Sequence, residues 1–369
     1  MSDLSKISVV LPSLDPDEKL HLVIDGLLEY GFSDIILVND GSKPENLHYF
    51  EEEAAAHPDV IHLLHHEVNK GKGAALKNAF NWFLQNRPDG AGVVTVDGDN
   101  QHHPADTKAC ALHMMETGHI TLGCRDFNQA DVPARSSFGN KTTSAIFKIF
   151  VGMTISDTQT GLRAIPREDL EFIAGIEGDR FEYETNMLLG MKRQGLPFDE
   201  VKIRTVYIEE NKSSHFHPIR DSWRIYKLIL AHFFRYTLSS IASFFVDSGM
   251  VYLLTVILPL TDPMLGYCAT VGARIVSSLL NFFMNKKLVF KSDVGTGKAM
   301  LRYYALAIPQ LLVQTLLNQG LYSLLGITES QPGLRTLIHI IIMTLLFIVS
   351  FTVQQRWVFA ADRKEKEKV

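Results

Sequence analysis

The sequence predicts an α/β domain on a mostly parallel, Rossmann-like sheet, followed by an all-α domain of four transmembrane helices. Three observations predict it. Through the first half, short β-branched runs alternate with helical stretches, the pattern of βαβ units. After Pro218 come four apolar segments, each near the roughly 20 residues that cross a bilayer as a helix. Charge divides the same way: residues 1–215 hold 20 Lys and Arg against 33 Asp and Glu, and residues 216–369 hold 16 against 8. An acidic front half argues against a nucleic-acid surface, and a basic, apolar rear half points to a bilayer.

Each element has its own signal. Strands are expected at 7–11, 35–38, 60–64, 93–96 and 120–123, where Val, Ile and Leu cluster between turn residues. Helices fit between them at 17–30, 44–56, 73–85 and 104–117. Together these make a front domain over 1–217. Residues 218–235 mix Arg220, Arg224 and Lys227 with Trp223, Tyr226 and Phe233, a composition suited to an amphipathic helix in the bilayer interface. Spans are expected at about 236–260, 265–289, 303–325 and 336–358, within a rear domain over 236–369.

Lys286, Lys287, Lys291, Lys298 and Arg302 lie between the second and third spans, and Arg356, Arg363, Lys364, Lys366 and Lys368 in or near the tail. The other two connections offer only Arg335. The positive-inside rule then places both termini and the front domain in the cytosol, as expected for an integral protein of the cytoplasmic membrane. The first residues lack the basic-then-apolar design of a secretory signal. Three scattered cysteines, Cys110, Cys124 and Cys268, suit a reducing compartment better than a disulfide framework or a zinc site.

The rear half also suggests a duplication. Residues 281–290 and 350–359 both end in an amide, cations and an apolar pair finishing in Phe. Two helical hairpins in parallel repeat would produce this, as would two generic membrane exits with aromatic belts. Asp247 and Arg274 fall inside expected spans, where ionisable groups are costly and pair with one another or serve function. Gln310, Gln314 and Asn318 recur every four residues on one helix face, suited to interhelical hydrogen bonding.

The chemistry centres on Asp97 and Asp99, two carboxylates around a glycine at the end of the fourth strand, where open α/β sheets bind ligands. Such a pair suits Mg²⁺ or another hard divalent cation that keeps its remaining positions for phosphate and water. Asp40 ends the second strand, placed to accept hydrogen bonds from a nucleoside. Asn69 to Lys77 form a glycine-rich turn opening a helix, with Lys70 and Lys72 beside free amides suited to phosphate. The Walker spacing is absent, both here and at Gly295 to Lys298. His65, His66, His102, His103, His215 and His217 lack zinc-site spacing and read as surface or loop histidines.

The stretches 38–42, 69–73 and 97–102, in this order and spacing, resemble family 2 glycosyltransferases with a GT-A fold. Residues 157–163 and 180–184 resemble the branch that transfers hexoses to polyprenyl phosphates, the dolichol-phosphate mannose synthases and their bacterial relatives. The rear half resembles the GtrA-like membrane domain through Asp247 and the two repeated endings. Together these cover nearly the whole chain. One departure is visible: the family's Pro-Ala-Tyr-Asn-Glu after the first strand is here Pro12-Ser13-Leu14-Asp15-Pro16, so Pro12 carries over but the nucleotide-contacting glutamate does not.

The resemblance implies inverting transfer of a hexose, mannose before glucose, from GDP-mannose or UDP-glucose to a polyprenyl phosphate. It implies Mg²⁺ or Mn²⁺ held by Asp97 and Asp99, with Gln101 orienting the metal's water or a sugar hydroxyl. Arg125, Arg135 and Arg204 are implied to engage phosphates, with Lys212 and Ser214 beside them. Asp157 binds the acceptor side, assists the metal, serves as a base or caps a turn. Glu182 and Glu184 share a face on a strand but not on a helix. The apolar stretch 143–153 either admits the lipid or packs in the core. Flipping of the glycolipid by the rear half is the alternative role. A processive polysaccharide synthase is disfavoured, because Gln354 to Trp357 lie far from the catalytic sequence.

Overall fold

The computed structural model describes residues 4–129, 132, 134–204, 218–258, 264–328 and 330–360. It divides into two units, residues 1–228 and 229–369.

The first unit is built on a seven-stranded sheet. Its strands are β1 (Ile7–Ser13), β2 (Ile35–Asn39), β3 (Ile61–His65), β4 (Gly92–Thr95), β5 (Ile120–Arg125), β6 (Arg163–Pro166) and β7 (Phe198–Ile203), in the order β3-β2-β1-β4-β6-β5-β7. Every pairing is parallel except those of β6, which runs antiparallel between β4 and β5. The sheet is thus mixed but mostly parallel, with the five expected strands in place. β2 and the first five residues of β1 are wholly buried, because helices cover both faces.

The helices are α1 (Lys19–Glu29), α2 (Leu47–Ala56), α3 (Lys72–Asn86), α4 (Pro104–Thr117), α5 (Ala134–Ile146), α6 (Arg167–Ala174) and α7 (Glu182–Gln194). α1 buries Leu20, Val23, Ile24 and Leu27, one helical face laid on the sheet. α4 begins where His103 accepts from the Ala105 amide with Pro104 in the first turn, and ends at Gly118 in the left-handed region. α5 continues into a π turn, Phe147–Val151, in which Phe147 is buried and Ile149 exposed.

Strand order reverses between β1 and β4, so the loops after these strands diverge and leave a crevice at their carboxyl ends. Pro12 is tolerated there. The Val9 amide bonds toward β2, so alternation turns the Pro12 nitrogen toward β4, whose ladder with β1 has already ended at Val10.

The second unit holds α9 (Met264–Met284), α10 (Thr296–Leu324), α11 (Pro332–Val353) and most of α8 (Pro218–Ile257). Among the described residues, three segments are long and apolar enough to cross a membrane: Ile229–Ile257, Met264–Val289 and Pro332–Val358. α10, one of the four expected spans, is 29 residues long but does not join them, because Gln310, Gln314, Asn318 and Gln319 interrupt its apolar surface. The stretch 218–235, expected as a separate interfacial helix, is the continuous first part of the 40-residue α8.

α9 and α11 both end in five-residue π turns, Asn285–Val289 and Gln354–Val358. In each copy the residue opening the turn donates to the side chain four positions earlier, Asn285 to Asn281 at 2.9 Å and Gln354 to Ser350 at 3.1 Å. Phe290 and Phe359, which close the two turns, stack at 5.1 Å. This repeated geometry goes beyond two generic membrane exits and supports the duplication. Asp247 and Arg274 pair at 3.5 Å, with Ser277 donating to the other Asp247 oxygen at 2.7 Å. Gln310 bonds across to the Leu346 carbonyl at 3.5 Å, whereas Asn318 bonds within α10 to the Gln314 carbonyl.

Candidate active site

The site is assembled around Asp97, just beyond β4. Lys72, the first residue of α3, places Nζ 2.7 Å from Asp97 Oδ1 and 2.9 Å from Glu184 Oε1 of α7. His102 Nε2 lies 3.5 Å from Asp97 Oδ2. Burial would raise the Asp97 pKa, but the Lys72 ammonium and His102 hold the carboxyl well below its usual range. Asp99 moves the other way, pushed up by burial and by the charge of Asp97 beside it. Burial would depress Lys72, yet Asp97 and Glu184 together hold it above the ordinary lysine value. One Asp99 oxygen accepts from the Gln101 amide at 3.1 Å, a turn that the left-handed Asn100 makes possible.

β6 completes this site. Because it runs antiparallel to β4, its leading residues return beside the carboxyl end of β4, and Gly161 sits so close that a Cβ there would collide with the Asp97 carboxylate. Thr95 Oγ1 fixes the return by donating to the Gly161 carbonyl at 2.6 Å.

Asp157 is fully buried and gripped by Arg125, with Nε 2.7 Å from Oδ2 and a second guanidinium nitrogen 3.2 Å from Oδ1. The Gln159 amide takes the same Oδ1 at 3.1 Å. Asp157 therefore orients Arg125 at the end of β5. Arg204, just after β7, donates its backbone amide to Asp106 of α4 at 2.9 Å and leaves its side chain largely exposed. Arg135 opens α5 with its side chain outside the described set, and Lys212 and Ser214 lie outside the described residues.

Asp40 is buried and committed to its own fold. One oxygen accepts from His66 at 2.7 Å and the Lys70 amide at 3.0 Å, the other from the Gly71 amide at 2.8 Å. It thereby anchors the glycine-rich turn that delivers Lys72. Gly71, at φ 103°, supplies a backbone conformation that side chains resist. Asp15, also at positive φ, ties the loop after β1 to the loop after β2 by accepting from the Lys43 amide at 2.8 Å and Asn46 at 3.2 Å. Asp17 accepts from the Lys19 amide at the start of α1.

One expectation changes here, and one open alternative closes. His66 and His102 are not surface histidines; both are buried, against Asp40 and Asp97. Glu182 and Glu184 lie on a helix, so they diverge: Glu182 accepts from the Asp179 and Arg180 amides, while Glu184 meets Lys72. Gly161 and the buried place of His102 beside Asp97 are what the sequence did not single out.

The donor set fits a divalent cation. Asp97 and Asp99 would supply it with carboxylate oxygens, while Lys72 bridges Asp97 and Glu184. Among the described residues no group of three or more His, Cys, Asp or Glu is placed to hold a metal ion, so a cation on Asp97 and Asp99 would need substrate phosphate and water for the rest of its shell.

Residues 8–172 match the model of glycosyl transferase family 2, and residues 235–359 match the GtrA/DPMS transmembrane domain. The chain is 28% identical over 224 residues to the UDP-N-acetylglucosamine–dolichyl-phosphate N-acetylglucosaminyltransferase of Methanococcus voltae, covering 55% of this chain and 86% of that one. It is 29% identical over 170 residues to the polyprenol monophosphomannose synthase of Mycolicibacterium smegmatis, covering 45% and 63%. The undecaprenyl-phosphate mannosyltransferase of Micrococcus luteus is 24% identical over 213 residues, covering 56% and 86%.

Proposed function

The chain carries a family 2 glycosyltransferase domain followed by a GtrA/DPMS transmembrane domain, and from that premise we propose that it transfers a hexose from a nucleotide sugar to a membrane polyprenyl phosphate. The observation that carries this reading is the Asp97, Asp99 and Lys72 constellation at the sheet's switch point, in a chain that also holds membrane-crossing helices. Mannose from GDP-mannose is the favoured donor sugar and glucose from UDP-glucose the second. The sugars in the relatives' names differ, so support reaches the lipid phosphate acceptor more firmly than the hexose.

The acceptor phosphate oxygen attacks the anomeric carbon as the nucleoside diphosphate leaves from the opposite side, inverting the centre. A phosphate monoester is largely dianionic near neutral pH, its second pKa being about 6, so the attack needs little help from a base. Mg²⁺ or Mn²⁺ held by Asp97 and Asp99 would neutralise charge on the leaving diphosphate. Gln101 stands beside that pair to orient water or a sugar hydroxyl. Arg125, locked by Asp157, presents a fixed guanidinium to phosphate, and Arg204 adds a second cation from the end of β7. Four crossings with the catalytic domain and both termini in the cytosol would set the front domain on the side that holds nucleotide sugars, in the cytoplasmic membrane.

The test incubates purified protein with radiolabelled GDP-mannose or UDP-glucose, a polyprenyl phosphate and Mn²⁺, and follows label into the organic phase. A labelled lipid is expected; absence of product with every common nucleotide sugar would sink the proposal. Flipping by the membrane half remains the second reading, favoured by the polar cluster of Asn281, Asn285, Ser239 and Gln354 inside that unit.

A further inference from the structure

We infer that Lys72 is a built-in counter-ion of Asp97, which a divalent cation must displace, and that Glu184 is the positioning residue that receives it. This deepens the proposed function and rests on its assignment of Asp97 and Asp99 as cation ligands.

The geometry makes Lys72 a shared group. Its Nζ sits within hydrogen-bond distance of both Asp97 and Glu184, so it can give up one carboxylate without losing the other. The two partners differ in setting. Glu184 lies in the first turn of α7, where a carboxylate is favoured by the helix dipole. Lys72 opens α3, where a cation is disfavoured by the same effect and no acidic residue of that turn offsets it. What keeps the ammonium there is the pair of carboxylates and the Gly71 turn that Asp40 clamps.

A cation approaching Asp97 meets a carboxylate whose Oδ1 is already taken by Lys72. Binding therefore exchanges one positive partner for another. Glu184 lowers the cost of that exchange, because the displaced ammonium retains a partner. With diphosphate present, the flexible lysine stem can also turn its charge toward the leaving group.

The test titrates Mn²⁺ alone into the full-length protein in detergent and reads free Mn²⁺ by electron paramagnetic resonance. Lys72→Met and Lys72→Gln should each tighten Mn²⁺ by about fivefold or more, the scale of one partly exposed ion pair. Glu184→Gln should weaken it by a similar factor, since Lys72 then has Asp97 as its one remaining carboxylate partner. In the Lys72→Met background, Glu184→Gln should change nothing, because its effect travels through the lysine. Equal weakening by Glu184→Gln in both backgrounds would make Glu184 a direct ligand or a scaffold residue and overturn the inference. Unchanged or weaker affinity in both lysine variants would overturn it as well. Failure of wild type and every variant to bind, or undiminished binding by Asp99→Asn, would instead remove the metal assignment on which the inference stands.

Discussion

Asn285 donates its side-chain amide to Gln354 Oε1 at 3.1 Å, and the two residues, 69 positions apart in sequence, open the two π turns of the membrane unit. Both are buried, and the network extends through Ser239 and Tyr236 of α8. Equivalent residues of the two copies thus hold each other.

Loss of either amide leaves the other partly unpaired in an apolar setting. Asn285→Ala and Gln354→Ala should each destabilise the protein by about 1–2 kcal/mol, and the double variant should cost less than the two together. Thermal unfolding of the four proteins in one detergent measures this coupling; additive costs would mean that the two amides act independently.

Asp157→Ala is expected to cost about 3 kcal/mol by stranding the Arg125 guanidinium. Since Asp157 is occupied by that ion pair, Asp157→Asn should lower kcat while leaving the shape of the pH–rate profile intact. Disappearance of a basic limb in that variant would assign Asp157 the role of base.

Gly161→Ala tests the crowding beside Asp97. The added methyl must push the carboxylate aside, and a shift near 1 Å in a reacting constellation costs about 10²-fold in rate. Transfer should fall by that order with the melting temperature little changed; near wild-type turnover would show that the Asp97 position is not critical.

Asp99→Asn should abolish lipid-linked product in a folded protein, and chelation by EDTA should do the same reversibly in wild type. Full activity under either treatment would refute metal dependence.

Burial pushes the Cys110 and Cys124 thiols up to about 12, so neither forms appreciable thiolate at pH 8. Mass spectrometry after N-ethylmaleimide should find Cys110 and Cys124 unmodified in the native protein, with both reacting after denaturation. Rapid native labelling of Cys124 would mean that the β5 end opens in solution.

The sheet's first five strands and the place of the Asp97 doublet just beyond β4 were legible because β-branched runs and two aspartates around a glycine are local signals. β6 was not: Arg163, Ala164, Ile165 and Pro166 form a four-residue strand whose arginine is buried, so neither alternation nor composition marks it. His66 and His102 are loop histidines, but their burial was not legible for a related reason. What buries them is a carboxylate, 26 positions away for His66 and five for His102, and no periodicity records such a pairing. The apolar third span was expected from length, but its amides matter as much as its leucines.

The backward insertion of β6 also sets a timetable for the growing chain. The stretch from β1 to the turn clamped by Asp40 lies within the first 71 residues. The surroundings of Asp97 wait for Gly161 and Glu184, which leave the ribosome much later. A nascent chain halted after α4 would carry both aspartates of the doublet without the strand that frames them.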